Sequence, residues 1–195
     1  MDEEMRGYIA QQGLGHIIAL ARCPECNYIA ATFEEENSLE RRDSPSPKCS
    51  GVGYSAGPAP NNYLNVANWI GEYAVIENRR DYTSAVILFC AFVESILETL
   101  KEEYLAIHPE IRLPNRRLSF KHVFGASLAE SVVNAPTRIS SFPSVWEELR
   151  DKRNRFLHGK SSYLISQADA YKAMDHAGDA VAVYRWLNNQ YCLKV

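Results

Sequence analysis

The sequence predicts a mainly α protein, a bundle of about five helices preceded by a small β segment of zinc-ribbon-like form. Three observations lead there. From residue 61 onward the strong apolar patterns recur at helical spacing. The segment 81–104, DYTSAVILFCAFVESILETLKEEY, is apolar nearly all round between Ala85 and Leu100, which suits a central buried helix. Residues 1–60 instead hold two short apolar runs, 17–21 and 28–33, on either side of a Cys-Pro-Glu-Cys turn.

The elements follow in order. Residues 34–60 are charged and then rich in Pro, Ser and Gly, so they read as a long loop and linker. The domain boundary falls near residues 59–62, dividing the chain into a ribbon-like segment with linker (1–60) and the bundle (61–195). Residues 62–78 carry apolar residues at Tyr63, Leu64, Val66, Ala67, Ile70, Tyr73, Ala74 and Ile76, which read as a helix face. Asp81 is the natural N-cap of the central helix, and Cys90 inside it reads as core. Residues 108–117 form a Pro-bounded loop, 119–133 a shorter amphipathic helix, and 134–143 a second loop. A helix begins after Pro143 with Ser144 as N-cap and is stopped by Gly159 as its C′ residue. The last helix spans 167–191.

Bulk properties narrow the function. The 195 residues, 46% of them hydrophobic, suffice for one ordinary domain and a small appendage. A formal net charge of −3 argues against a bulk polyanion binder, so any nucleic-acid contact needs a local basic patch. No apolar run of 18 residues stands out, and the polar, acidic start is unlike a signal peptide, so a cytoplasmic chain without membrane contact is expected. Five cysteines, an odd number, suggest reduced thiols or a bound metal.

The stretch 146–159, WEELRDKRNRFLHG, carries the chemistry. At about 100° per residue Asn154 and His158 share a helical face, and Arg153 lies about 140° from His158. A histidine in the last helical turn feels the negative end of the helix dipole. Arginine, amide and imidazole together are the groups that metal-free phosphodiester cleavage requires: a proton donor and acceptor, and positive charge facing phosphorane oxygens. Arg150, Lys152, Arg155 and Lys160 add local positive charge in an otherwise acidic chain. Glu94, a carboxylate between Val93 and Ile96 on the central helix, needs a partner and is expected to orient Arg153 or tune His158. A second Arg-x4-His, Arg117 to His122, lacks the following Asn and the terminating Gly, and reads as coincidence; His122 and His176 read as structural.

Arg153-Asn154-x3-His158-Gly159 closing an amphipathic helix, behind a long apolar helix carrying a Glu, resembles the HEPN family of helical nucleic-acid-processing domains. The likeness covers roughly residues 61–191 in helix order, and its specific part is 153–159. It implies a metal-independent endoribonuclease that cuts RNA by 2′-hydroxyl attack. It also implies a two-fold homodimer in which Arg153, Asn154 and His158 contribute twice to one cleft, in a toxin–antitoxin or anti-phage setting with an antitoxin or activator partner. Some relatives carry a nucleotide-modified Tyr two places after the His; here Lys160 stands there and the nearest Tyr is Tyr163. The alternative reading is a non-catalytic nucleic-acid- or protein-binding module bearing a zinc ribbon.

The ribbon itself offers metal ligands. Cys23 and Cys26 flank a tight turn suited to two convergent thiolates, and Cys49 is a third candidate. A tetrahedral structural zinc needs a fourth donor, for which His16 is the nearest residue and Glu34–Glu36 are poorer choices.

Overall fold

A computed structural model describes residues 19–32, 46–49, 55–56, 82–112, 119–159 and 164–194. The expected helix at 62–78, the Asp81 cap, His16, Arg117, Lys160 and Tyr163 lie outside the described residues. Within them the chain is mostly helical, with a small antiparallel sheet at its N-terminal side.

Strands β1 (Ala19–Arg22) and β2 (Ile29–Thr32) form a hairpin in which Ala19 pairs with Thr32 and Arg22 with Ile29. The turn between them holds Asn27 at φ 64°, a left-handed conformation that Asn tolerates better than most residues. Strand β3 (Ser55–Ala56) pairs antiparallel on the other edge of β1, giving the order β2-β1-β3. Part of the stretch read as linker is therefore a sheet edge. Residues 47–49 of that stretch form a turn as well.

Six helices follow among the described residues: α1 (Tyr82–Ile107), α2 (Phe120–Phe124), α3 (Leu128–Ser131), α4 (Thr137–Leu157), α5 (Gln167–Asp175) and α6 (Ala177–Tyr191). Helix α1 is the axis of the bundle, and α4, α5 and α6 pack around it. By length and composition it could also cross a membrane. Its apolar positions Val86, Phe89, Val93, Ile96 and Leu100 recur three or four apart and are all but sealed from solvent. Phe89 meets Phe142 and Trp146 of α4 edge to face, with ring centroids 6.3 and 6.5 Å apart.

Three element boundaries differ from the sequence reading. Helix α4 does not start after Pro143: it begins at Thr137, capped by Pro136, and carries Pro143 inside it. Proline there removes only the bond that its own N–H would have made to Ile139, and its ring is buried against the core. The segment 119–133 is two short helices, because Gly125 adopts φ 71° and ends α2, after which Ser127 caps α3. The final helix breaks at His176, which closes α5 and opens α6, its Nδ1 2.7 Å from Asp179 Oδ2.

The hairpin is fastened to the bundle by polar contacts. Arg22 donates to Glu103 of α1 at 2.6 Å and to the Tyr184 hydroxyl of α6 at 2.9 Å. Tyr184 in turn donates to Glu103 at 2.7 Å. Asn189 accepts from the Ile29 N–H at 2.8 Å and donates to the Ile29 carbonyl at 3.1 Å. The Lys194 N–H reaches the Cys26 carbonyl at 3.1 Å, so the C-terminal end of the chain lies against the cysteine turn.

Candidate functional site

Two sites emerge, a cleft beside α4 and a cysteine cluster at the tip of the hairpin. The cleft has a volume of about 830 Å³ and lies among α1, the α2–α3 corner and α4. Helix α4 contributes Trp146, Arg150, Asn154 and His158, spaced four residues apart, together with Glu147 and Arg153. That spacing puts them on one stripe. The stripe ends where the helix does. His158 is the C-cap, its N–H bonded to the Asn154 carbonyl at 2.9 Å, and Gly159 follows at φ 65°. A left-handed C′ residue suits glycine, so the sequence fixes where the helix stops and where the imidazole stands.

Arg153 is held at two points. Its Nη2 donates to Glu94 Oε1 at 2.8 Å and its Nε to Asn154 Oδ1 at 3.1 Å. The arginine side chain is 13% exposed and the glutamate 35%. The Glu94 hydrogen bond outweighs burial and raises the guanidinium pKa above its ordinary value, so Arg153 stays charged. With Nε and one Nη2 proton engaged, three of the five N–H donors, the two on Nη1 and the second on Nη2, remain for an incoming anion. Glu94 therefore orients the fork but also competes with a phosphate for it.

Other cleft charges come from places the sequence reading did not name. Lys101 of α1 and Lys121 of α2 line it beside Arg150 and Arg153. Lys101 lies seven residues after Glu94, on the same face of α1, a phase relation visible in the sequence. Glu98 and Glu147 join Glu94 as acidic lining, and Glu98 accepts from Lys101 at 2.8 Å. The Arg150 guanidinium lies 5.4 Å over the centroid of the Trp146 ring, a cation–π contact within the cleft lining.

Lys152 and Arg155 are placed elsewhere. Lys152 forms ion pairs with Glu148, at 2.8 Å, and with Asp169 of α5. Burial pushes its pKa down, and the bonds to Asp169 and Glu148 more than reverse this, leaving it above the usual lysine range. Arg155 pairs with Asp151 one turn back at 2.8 Å. Neither lines the cleft, so the basic patch read from 150–155 reduces there to Arg150 and Arg153. His122 also has a local role: its Nδ1 lies 2.6 Å from the Ser119 hydroxyl at the start of α2.

The second site gathers Cys23, Cys26 and Cys49, whose sulfurs all lie within 4.8 Å of one another. Such a group can hold a metal ion. The hairpin turn positions the first two: Cys23 N–H donates to the Tyr28 carbonyl at 2.9 Å and Asn27 N–H to the Cys23 carbonyl at 3.0 Å. Cys23 and Cys26 are buried and Cys49 is exposed. Burial raises the Cys26 thiol pKa, but hydrogen bonds from Ser46, Tyr28, Cys49 and Cys23 outweigh it and hold the thiol below its ordinary value. That favours the ligating thiolate. By contrast burial pushes Cys90 and Cys192 up to about 12, consistent with inert core thiols.

Comparison with models of known families, with curated proteins and with solved structures finds no match for this chain.

Proposed function

We propose that this chain is a metal-independent endoribonuclease of the HEPN type, acting in the cytoplasm as a two-fold homodimer. The observation that carries the reading is that Arg153, Asn154 and His158 all line one cleft, with Glu94 fastened to Arg153. In the reaction the 2′-hydroxyl oxygen bonds to the adjacent phosphorus and the bond from phosphorus to O5′ breaks, leaving a 2′,3′-cyclic phosphate and a 5′-hydroxyl. One proton leaves the 2′-hydroxyl and another reaches O5′, so a base and an acid are needed. A single cleft holds one His158; a dimer supplies a second, so that one imidazole can accept a proton and the other donate one. Arg153 faces the phosphorane oxygens through its free Nη1. Phe156 and Leu157, 39% and 57% exposed beside His158, are apolar surface that such a dimer would cover. The toxin–antitoxin or anti-phage setting, and a regulating antitoxin or activator, rest on the family resemblance alone. The metal at the cysteine cluster is read as structural zinc, matched to a thiolate-rich site.

The second reading, a non-catalytic nucleic-acid- or protein-binding module, draws on the three glutamates in the cleft, which offset most of its positive charge. Sedimentation of the full chain together with RNA cleavage by wild type and His158→Ala separates the two. The nuclease reading expects a dimer in both and cleavage by wild type alone. A binding module expects RNA or protein capture without cleavage, with sensitivity at Cys23 or Cys26.

A further inference from the structure

Residues 46–49, Ser-Pro-Lys-Cys, repeat residues 23–26, Cys-Pro-Glu-Cys, position for position, with serine where the first cysteine would stand. The two turns face each other crosswise. Cys23, first in its turn, lies 3.6 Å from Cys49, last in the other; Cys26, last in its turn, lies 3.2 Å from the Ser46 hydroxyl, first in the other. This is the pseudo-two-fold arrangement of paired metal-binding turns. Ser46 is 3% exposed although its neighbours 47–49 are at the surface, so its hydroxyl points inward. The Oγ accepts the Lys48 N–H at 3.2 Å, which fixes its position within the turn.

We infer that Ser46 is the fourth corner of the metal site, so that Cys23, Cys26, Cys49 and the Ser46 hydroxyl oxygen form a three-sulfur, one-oxygen donor set for one zinc ion. The inference rests on the zinc reading above and adds the ligand that the thiol pattern leaves open. Thiolates about 2.3 Å from a tetrahedral zinc stand about 3.8 Å apart, and an oxygen about 2.1 Å from it stands about 3.6 Å from each sulfur. The Cys23–Cys49 and Cys26–Ser46 separations, 3.6 and 3.2 Å, are within a few tenths of an ångström of these, and the three sulfurs all lie within 4.8 Å of one another, so the donors are gathered for one ion. The hydroxyl stays neutral, giving the complex one net negative charge where four thiolates would give two. A hydroxyl is also the harder, weaker donor for zinc, so this corner is the site's weak point and the most easily exchanged.

The test measures zinc content, zinc-edge X-ray absorption and zinc affinity by chelator competition on the full chain, for wild type, Ser46→Cys and Ser46→Ala. The expected results are one zinc per wild-type chain in a shell of three sulfurs and one oxygen, and four sulfurs in Ser46→Cys. Affinity should rise roughly tenfold or more in Ser46→Cys and fall in Ser46→Ala, the scale on which changes around a zinc shell act. Circular dichroism of each variant checks that it is folded, and Ser46→Ala supplies the affinity arm if the cysteine variant is not. Zinc bound with an imidazole or fourth sulfur in wild type, or with a shell indifferent to both substitutions, would overturn the Ser46 assignment while leaving zinc in place. A folded wild-type chain that takes up no added zinc would overturn the zinc reading, and the assignment with it.

Discussion

Arg153 spends part of its hydrogen-bonding capacity on Glu94 and Asn154, and that defines what each does. Removing the carboxylate should free the guanidinium to wander. Glu94→Ala is expected to lower single-turnover cleavage by roughly 10²-fold, the cost of misplacing a reacting group by about an ångström. RNA affinity should be retained or improved, because a competitor for the guanidinium is gone. Glu94→Gln, whose amide oxygen still accepts from Nη2, should restore most of the rate. Equal rates in all three proteins would show that the anchor is only structural. At the level of single residues the sequence is legible through phase: Asn154 and His158 fall on one face by arithmetic alone, and the structure adds Trp146 and Arg150 in the same phase. Lys152 and Arg155 were read by proximity in sequence instead, and Asp169 and Asp151 claim them. The proposed role of Ser46 has no thiol to signal it in the sequence, only the Ser-Pro-Lys-Cys spacing.

Helix α4 is where local rules and tertiary packing meet. Its end was legible because Gly159 is a strong stop, but its start was not, because Pro143 resembles one. The ring of Pro143 is buried beside Phe142 and Trp146, and core packing carried by those neighbours outweighs one lost backbone bond. The breaks at Gly125 and His176 were likewise hidden inside continuous apolar periodicity. Gly159→Ala should cost about 1 kcal/mol, set by the backbone, since no atom lies within 4 Å of an added Cβ. Denaturant unfolding would show it as a lower midpoint at constant slope. On the other side of α4 the Lys152–Asp169 pair ties it to α5. Lys152→Met leaves Asp169, 7% exposed, without its cation and should cost about 3 kcal/mol. Burial raises the Asp169 pKa, but bonds from Lys152 and Ser166 more than offset this, so the folded value lies below the unfolded one. Its contribution is then fully present above the unfolded value of about 3.9 and is lost as pH falls through the folded value. Lys152 is raised, so its contribution is complete below about 10.4 and fades as pH climbs through its folded value. Wild type should therefore lose stability faster than Lys152→Met at both pH extremes, in parallel denaturation series.

On the scale of the whole molecule, the cysteine cluster and the bundle are mechanically joined. Arg22 immediately precedes Cys23 and holds Glu103 and Tyr184, while Lys194 holds the Cys26 carbonyl. With zinc at the cluster, as proposed, its removal should therefore be felt in the helices. A zinc chelator is expected to lower the thermal midpoint of the full chain by roughly 2–4 °C for each kcal/mol of lost docking. Glu103→Ala, which strips Arg22 and the buried Tyr184 of their shared acceptor, should do the same with zinc present. Because both act through one contact, the two effects together should be smaller than their sum. Additive effects would mean that the ribbon and the bundle unfold independently. The mainly helical class and the small β segment before it could be read from pattern alone. The docking could not, since Arg22, Glu103 and Tyr184 are far apart in sequence and carry no shared motif.

His158 is proposed to cut RNA without a catalytic metal. The most direct measurement is incubation of a mixed RNA pool with zinc-loaded wild type and with His158→Ala, in buffer lacking magnesium, followed by analysis of the fragment ends. Wild type is expected to give fragments ending in 2′,3′-cyclic phosphate and 5′-hydroxyl, and His158→Ala to lose at least about 10²-fold in rate with fold and dimer intact. Equal cleavage by the two proteins, or none by a well-folded wild-type dimer, would contradict the proposal.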